Sequence, residues 1–290
     1  MTLGEWLEKW MTLYVVPGKL APSSKAMYRR AVHAVPAPLL AVEMATLTAL
    51  DLLPWLLDVA KVHPRAAQLD RQMLAKALNL AAKLRLCPDG IVDRETLPKP
   101  VHTPKTTAVL DAGQAAQYLR AAMGLKSGLL LVLCLSCGLR RGEALGLRWS
   151  DLELSTGVMH VERQRMRQQH TYKAAPLKSA NARRALLLPA GLVTLLDAAP
   201  RTMTGWVVDV TPERLQADHV AALAAAHLPH VTVHGLRHTM ATLAAGSGIS
   251  IKILQASLGH ASYKLTADLY AGHALPPSSA PGLVWAAFAG

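Results

Sequence analysis

The stretch Gly128–Leu139, GLLLVLCLSCGL, carries no charge and a single hydroxyl, Ser136. Its 12 residues fall well short of the roughly 20 that a membrane-spanning helix needs. With no polar face to turn toward water, it reads as a helix buried on all sides, opened by Ser127 and stopped at Gly138. The second half of the chain must therefore wrap other helices around it. Cys134 and Cys137 have C-x-x-C redox spacing, but their place inside this run reads as packing by small hydrophobic side chains. With Cys87 they number three, too few for a disulfide framework.

Apolar residues are 51% of the chain and charged residues 17%, which excludes a disordered chain. Leu and Ala dominate and Phe288 is the one phenylalanine, a bias toward helix. Residues 1–93 read as a small helical unit. Thr2 with Glu5 has capping-box spacing, and Trp6, Trp10, Leu13 and Tyr14 then share one stripe. A second helix starts at Ser23 or Ser24 and stops near Pro36. A third opens over Leu47–Asp51, and a fourth runs from His63 to Leu86. Residues 94–107, RETLPKPVHTPKTT, have three prolines and little apolar periodicity, and read as an extended linker.

Residues 108–275 read as an α+β unit. Leu110-Asp111 caps a helix, and another begins at Leu139–Glu143. Strands are expected over 157–166, 167–175 and 184–188, and helices over 189–198 and 212–228, the last capped by Thr211 before Pro212. The expected fold class is thus mainly α with a small antiparallel sheet. Residues 276–290 form a proline-rich tail ending in LVWAAFAG.

Net charge is +12 and the pI about 9.9, with +4 on residues 1–100 and +8 on residues 101–290. Such an excess calls for a polyanion: nucleic acid first, an anionic membrane surface as the competitor. The first ten residues carry two glutamates and no cleavable signal pattern, so the expectation is a cytoplasmic protein with no membrane contact. Lys25, Arg29 and Arg30 form one basic turn, Lys99 and Lys105 line the linker, and a basic hairpin holds Arg163, Arg165, Arg167, Lys173, Arg183 and Arg184. All are read as contacts to a DNA backbone, each against the alternative of a solvated face.

Chemistry concentrates elsewhere. His234 and Arg237 lie one helical turn apart at a helix start, where backbone amides add partial positive charge. His260 follows a helix-ending Leu258-Gly259, and Tyr270 comes ten residues later. These cationic groups with one tyrosine suit a phosphate. Arg140 is either a partner for a helix terminus or a fork aimed at phosphate, with Glu143 one turn on to orient it. Lys178, in the hairpin, is either an exposed lysine or an ammonium that reaches a departing oxygen. His234 and His238 have the i, i+4 spacing of a zinc pair, but Gly235 stands where a zinc protease has glutamate and no third ligand is near. No metal and no cofactor is expected.

Arg140, Lys178, His234-x-x-Arg237, Leu258-Gly-His260 and Tyr270, in that order, resemble the signature of the tyrosine recombinase (phage integrase) family. The stretch from Cys137 to Asp151 resembles its first arginine box, Lys178 to Pro189 its lysine hairpin, and His234–Thr239 with Leu258–Tyr270 its second box. The likeness covers residues 108–275; residues 1–93 fit the family's helical core-binding domain, a SAM-like four-helix unit, by size and helix pattern. Ser179 and Ala182 stand where the family often has Thr and Ser.

The resemblance implies a site-specific recombinase or integrase. Tyr270 would attack a DNA phosphodiester, forming a 3′-phosphotyrosine and freeing a 5′-hydroxyl. Arg140 and Arg237 would neutralise the transition state, His260 and His234 would assist, and Lys178 would protonate the leaving oxygen. It further implies two domains clamped around duplex DNA, a homo-tetramer in the synaptic complex with a monomer free in solution, and an accessory directionality protein. The tail would dock on a neighbouring subunit, or on its own domain. The chain starts at the helical unit, so no arm-type DNA-binding domain is expected. Rival readings are a type IB topoisomerase, a non-catalytic DNA-binding regulator and a metallohydrolase.

Overall fold

A computed structural model describes residues 1–93, 95–101, 108–168, 171–177, 182–247, 249 and 251–259. The chain divides into two compact units, Met1–Lys105 and Thr106–Gly290.

The first unit is helical. Helix α1 (Leu3–Trp10) starts with the expected capping box: the Glu5 amide donates to Thr2 Oγ1 at 3.3 Å, and the Thr2 amide donates to the Glu5 carboxylate at 3.0 Å. It runs on through a wider π turn, Met11–Val15. Helices α2 (Pro22–His33), α4 (Ala49–Val62) and α5 (Pro64–Lys83) match the expected second, third and fourth helices. The short α3 (Ala37–Leu40) lies where proline spacing hid it. Trp6, Trp10, Tyr28, Leu52, Leu56, Met73, Leu74 and Leu78 make the core, and the Trp6 indole N–H donates to the Ala77 carbonyl at 3.0 Å.

The stretch expected as linker is anchored in its first half. Leu97 is fully buried against this unit, and Arg71 and Gln68 of α5 donate to the Leu97 and Pro100 carbonyls at 2.5 and 2.8 Å. One apolar side chain outweighs the three prolines there. The chain is therefore held to the unit at least as far as Pro100.

The second unit is built around the apolar run. Helix α7 (Gly128–Ser136) is buried from Leu130 through Leu135, with α6 (Ala112–Met123), α10 (Pro212–Ala225) and α11 (Val233–Gly246) packed on it. Its N-terminus is capped from a distance: the Ser127 amide donates to the Asp218 carboxylate of α10 at 2.8 Å. His219 beside it is fully buried between the Tyr118 hydroxyl (2.7 Å) and the Val231 carbonyl (2.8 Å). The carbonyl can only accept, so Nε2 carries the proton and Nδ1 accepts from the tyrosine. Burial holds this imidazole below its usual pKa. Cys134 and Cys137 are free thiols that burial pushes up to about 12, which suits packing.

After the short helix α8 (Arg141–Leu145) come strands β1 (Leu152–Glu153), β2 (Val158–Val161), β3 (Arg163–Gln168), β4 (Thr171–Pro176) and β5 (Arg184–Leu187), followed by α9 (Ala190–Asp197). They form two antiparallel sheets, one ordered β1-β2-β5 and the other the β3-β4 hairpin. The single strand expected over 157–166 is thus two strands, parted at Glu162. Pairing decides this: β5 runs out of partners at Val161↔Arg184, and from Arg163 on the chain pairs with β4 instead. Gly146 lets α8 lie on β3, since a Cβ there would meet the Gln164 carbonyl carbon at 2.7 Å and the Arg165 nitrogen at 2.8 Å. Among the described residues, no helix is long and apolar enough to cross a membrane.

Candidate active site

Two of the candidate catalytic residues, Arg140 and Arg237, meet at the end of helix α12 (Ile251–Leu258), together with Arg184. A helix leaves its final carbonyls without intrahelical donors and carries partial negative charge there. In this chain three consecutive carbonyls at that end each receive a different arginine. Arg184 Nε donates to Ser257 O at 2.6 Å, Arg237 Nη2 to Leu258 O, and Arg140 Nη2 to Gly259 O at 3.3 Å. Gly259 adopts φ +62°, so the chain turns out of the helix there, one residue before His260.

Arg140 is the N-cap residue of α8 and not a partner for the end of α7, because Gly138 (φ +64°) has already reversed the chain. Its own amide donates to Glu143 Oε2 at 3.0 Å, and its Nη1 to Glu143 Oε1 at 2.6 Å. The Arg140 side chain is 37% exposed while Glu143 is 3% exposed. The guanidinium is thus held from behind with part of its fork facing out. Burial by itself would raise the Glu143 pKa, but hydrogen bonds and charge from Arg184 and then Arg140 outweigh it, and the carboxyl sits below its usual range. Glu143 orients Arg140 as its spacing suggested.

Arg237 is 2% exposed in the first turns of α11, and its Nη1 donates to Gly138 O at 2.7 Å. One side chain therefore ties the turn after α7 to the end of α12. A Cβ on Gly138 would meet Met240 Cε at 2.4 Å and Leu258 Cδ2 at 2.8 Å, so both its conformation and its neighbours require glycine.

Thr232 caps α11, accepting from the Gly235 amide at 2.9 Å, which places His234 in the first turn. His234 and His238 stack edge to face with ring centres 4.7 Å apart. His234 is an exposed residue, yet enclosure of its ring first, then His238, Arg237 and Arg140, hold its pKa down to about 4. It is a neutral imidazole at pH 7, able to accept a proton. Among the described residues, no cluster of three or more His, Cys, Asp or Glu forms a metal site.

Lys105, Lys178, His260, Tyr270 and the tail 276–290 lie outside the described residues. Of the residues read as backbone contacts, Arg29, Lys99, Arg167, Lys173 and Arg183 are exposed. Lys25 donates to the Val16 carbonyl at 2.6 Å, and Arg30 pairs with the buried Asp70 at 3.2 Å. Arg163, Arg165 and Arg167 share one face of β3, but Arg163 is bound to Asp151, and Arg165 pairs with Asp209 at 2.7 Å while covering the Trp206 ring. Lys173 pairs across from Met166 and so lies on the opposite face.

Arg184 corrects the reading of the hairpin. Its side chain is 5% exposed, bonded to Glu143 at 2.9 Å, and does not face solvent. Strand parity carried the signal, since Arg184 falls on the same side of β5 as Leu186, the side turned inward.

The sequence pattern described as the phage integrase family matches residues 108–188, the segment that contains Arg140, Glu143, Lys178 and Arg184. Residues 108–188 thus carry the pattern of the phage integrase family, and the relatives found are tyrosine recombinases. The tyrosine recombinase XerC of Rhodospirillum centenum is 32% identical over 186 residues, 62% of this chain and 52% of that protein. XerD of Xanthomonas campestris is 29% identical over 194 residues, 62% of this chain and 58% of that protein. The chain spans about half the length of the curated relatives it matches.

The fold of this chain is that of the Tn1549 transposon integrase solved with circular intermediate DNA. The TM-score is 0.78 at 19% identity, over 93% of this chain and 95% of that one. Lambda integrase, solved as a tetramer bound to a Holliday junction, aligns with a TM-score of 0.72 at 20% identity, over 93% of this chain and 77% of that one.

Proposed function

We propose that this protein is a site-specific recombinase that cuts and rejoins duplex DNA through a 3′-phosphotyrosine on Tyr270. The observation that carries the reading is the convergence of Arg140 and Arg237 on the α12 terminus that leads into His260, with His234 near enough for both charges to lower its pKa. Arginines far apart in sequence share adjacent carbonyls, so their charges act on one place.

Tyr270 oxygen forms a bond to phosphorus as the bond from phosphorus to the 5′-oxygen breaks. The phosphodiester energy is kept in the new ester, so rejoining needs no nucleotide cofactor. Arg140, through its outward fork, and Arg237 balance the charge on the non-bridging oxygens. His260 adds a hydrogen bond, neutral His234 takes part in proton movement at the nucleophile, and Lys178 protonates the departing oxygen. Exposed Arg29, Lys99, Arg167, Lys173 and Arg183 give salt-sensitive contact to the backbone, with Lys105 added from the linker.

Lambda integrase was solved as a tetramer on a Holliday junction, and a tetramer is the assembly proposed for synapsis here. Docking of the 276–290 tail on a neighbour, an accessory directionality protein and action on DNA in the cytoplasm complete the proposal.

The test is incubation with nicked duplexes tiled from the DNA that flanks the gene. The expected product is a covalent protein–DNA adduct that survives EDTA and disappears in Tyr270→Phe. An adduct from the phenylalanine variant would show that another residue is the nucleophile, and dependence on metal would refute the mechanism. Ligation of the held strand to a second duplex separates a recombinase from an enzyme that only relaxes DNA.

A further inference from the structure

We propose that Arg184 is a positioning residue for strand cleavage, holding Glu143 and the α12 terminus so that Arg140 keeps a free positive charge for the phosphate. The inference rests on the recombinase reading above.

Arg184 directs its guanidinium three ways. Nε reaches Ser257 O at 2.6 Å, Nη1 reaches Ala182 O at 3.0 Å, and Nη2 reaches Glu143 Oε2 at 2.9 Å. It thereby joins β5, which follows the Lys178 segment, to the helix end before His260 and to the acid behind Arg140.

The charge count explains why this matters. Glu143, 3% exposed, has one negative charge and two arginine partners. With Arg184 present the group of three is a net cation, and its open end is Arg140, 37% exposed. Without Arg184 the buried carboxylate would have Arg140 as its one remaining arginine among these three, and the two would form a neutral pair. Inside protein such a pair is tight, and the guanidinium would be drawn back onto both carboxylate oxygens. The cation meant for the phosphate would be cancelled, although no substrate-facing group had been removed. The Ser257 bond adds a second effect, fixing the turn from which residue 260 departs.

Three full-length proteins test this: wild type, Arg184→Gln, and Glu143→Gln with Arg184→Gln. Adduct formation on the nicked duplex gives the cleavage rate, and fluorescence anisotropy gives DNA affinity. Arg184→Gln should cleave roughly 10- to 100-fold more slowly, the usual cost of losing a supporting partner, with affinity essentially unchanged. The double variant should cleave faster than Arg184→Gln, because the uncharged amide no longer neutralises Arg140. A role in holding the fold together predicts the reverse, a double variant at or below the single one, and that result overturns the proposal, as does wild-type cleavage by Arg184→Gln.

If Arg184→Gln does not fold, Arg184→Lys carries the test. It keeps the cation beside Glu143 and forfeits the bond to Ser257, so it should cleave several-fold more slowly at unchanged affinity; a wild-type rate overturns the proposal. A wild-type protein that forms no adduct overturns the recombinase reading and this inference together. Equal adduct from wild type and Arg184→Gln overturns the inference by itself.

Discussion

Replacing Gly138 by alanine tests how the end of the buried helix is joined to the site. At φ +64° an L-residue bears the left-handed penalty, about 1–2 kcal/mol. The new methyl would lie 2.4 Å from Met240 Cε and 2.8 Å from Leu258 Cδ2. Both are ends of flexible side chains and can move, so the overpacking cost belongs at the lower part of its range, about 1–2 kcal/mol. Together these give about 2–4 kcal/mol, or a drop of roughly 4–16 °C in melting temperature for a unit of this size. The Gly138 carbonyl also accepts from Arg237 at 2.7 Å, so any backbone shift moves that arginine. Cleavage should therefore fall further than the lost stability explains, when measured well below the melting point. Calorimetry or urea titration reads the first effect and adduct formation the second. An alanine variant that melts within about 1 °C of wild type would refute the strain and packing argument together.

Arg140→Ala should reduce cleavage by roughly 10²- to 10³-fold, as for loss of one transition-state donor, with DNA affinity by anisotropy nearly intact. Arg237→Ala should show the same kinetic loss and also unfold at lower denaturant by about 2–4 kcal/mol, because two buried carbonyls lose their donor; equal stability of the two variants would contradict the burial contrast. His219 is held below its usual pKa, so the unfolded chain binds the extra proton as pH falls below about 6.5. Stability is full above that pH and declines below it, and urea midpoints taken from about pH 7.5 to about pH 5 should show a shallower decline in His219→Gln than in wild type. Burial raises the Asp70 pKa and Arg30 opposes it, so Arg30→Ala should destabilise the helical unit. Arg30 is half exposed, which places the loss near 1 kcal/mol rather than the roughly 3–5 of a wholly buried pair. The deficit should narrow as pH falls and Asp70 takes up its proton, and a deficit that widens would refute this sign.

Helix caps were legible in the sequence because each is local: Thr2 with Glu5, Asp111 with Gln114, and Thr211 before Pro212 use side chains within one turn of the amides they satisfy. Arg140, His234 and Arg237 stood out as candidates because residue type and position at a helix start suit an anion. Leu97 was missed since three prolines masked one buried leucine. The parting of β2 from β3 was missed because alternation in the sequence continues smoothly through Glu162, while hydrogen-bond partners change there.

The sequence by itself determined that a helix from Gly128 had to be the centre of the second unit, because twelve residues without a charge have nowhere else to go. It also determined which residue types could meet a phosphate. Only the tertiary structure decided which arginines gather at the α12 terminus and which face solvent. Arg183 and Arg184 are neighbours of identical chemistry, yet one is 66% exposed and the other 5%. Strand β5 turns successive side chains to opposite faces, and a carboxylate from α8 and a carbonyl from α12 wait on one of them. Strand parity could place Arg184 on the inward side, but both partners come from far along the chain, so no local pattern could have named them.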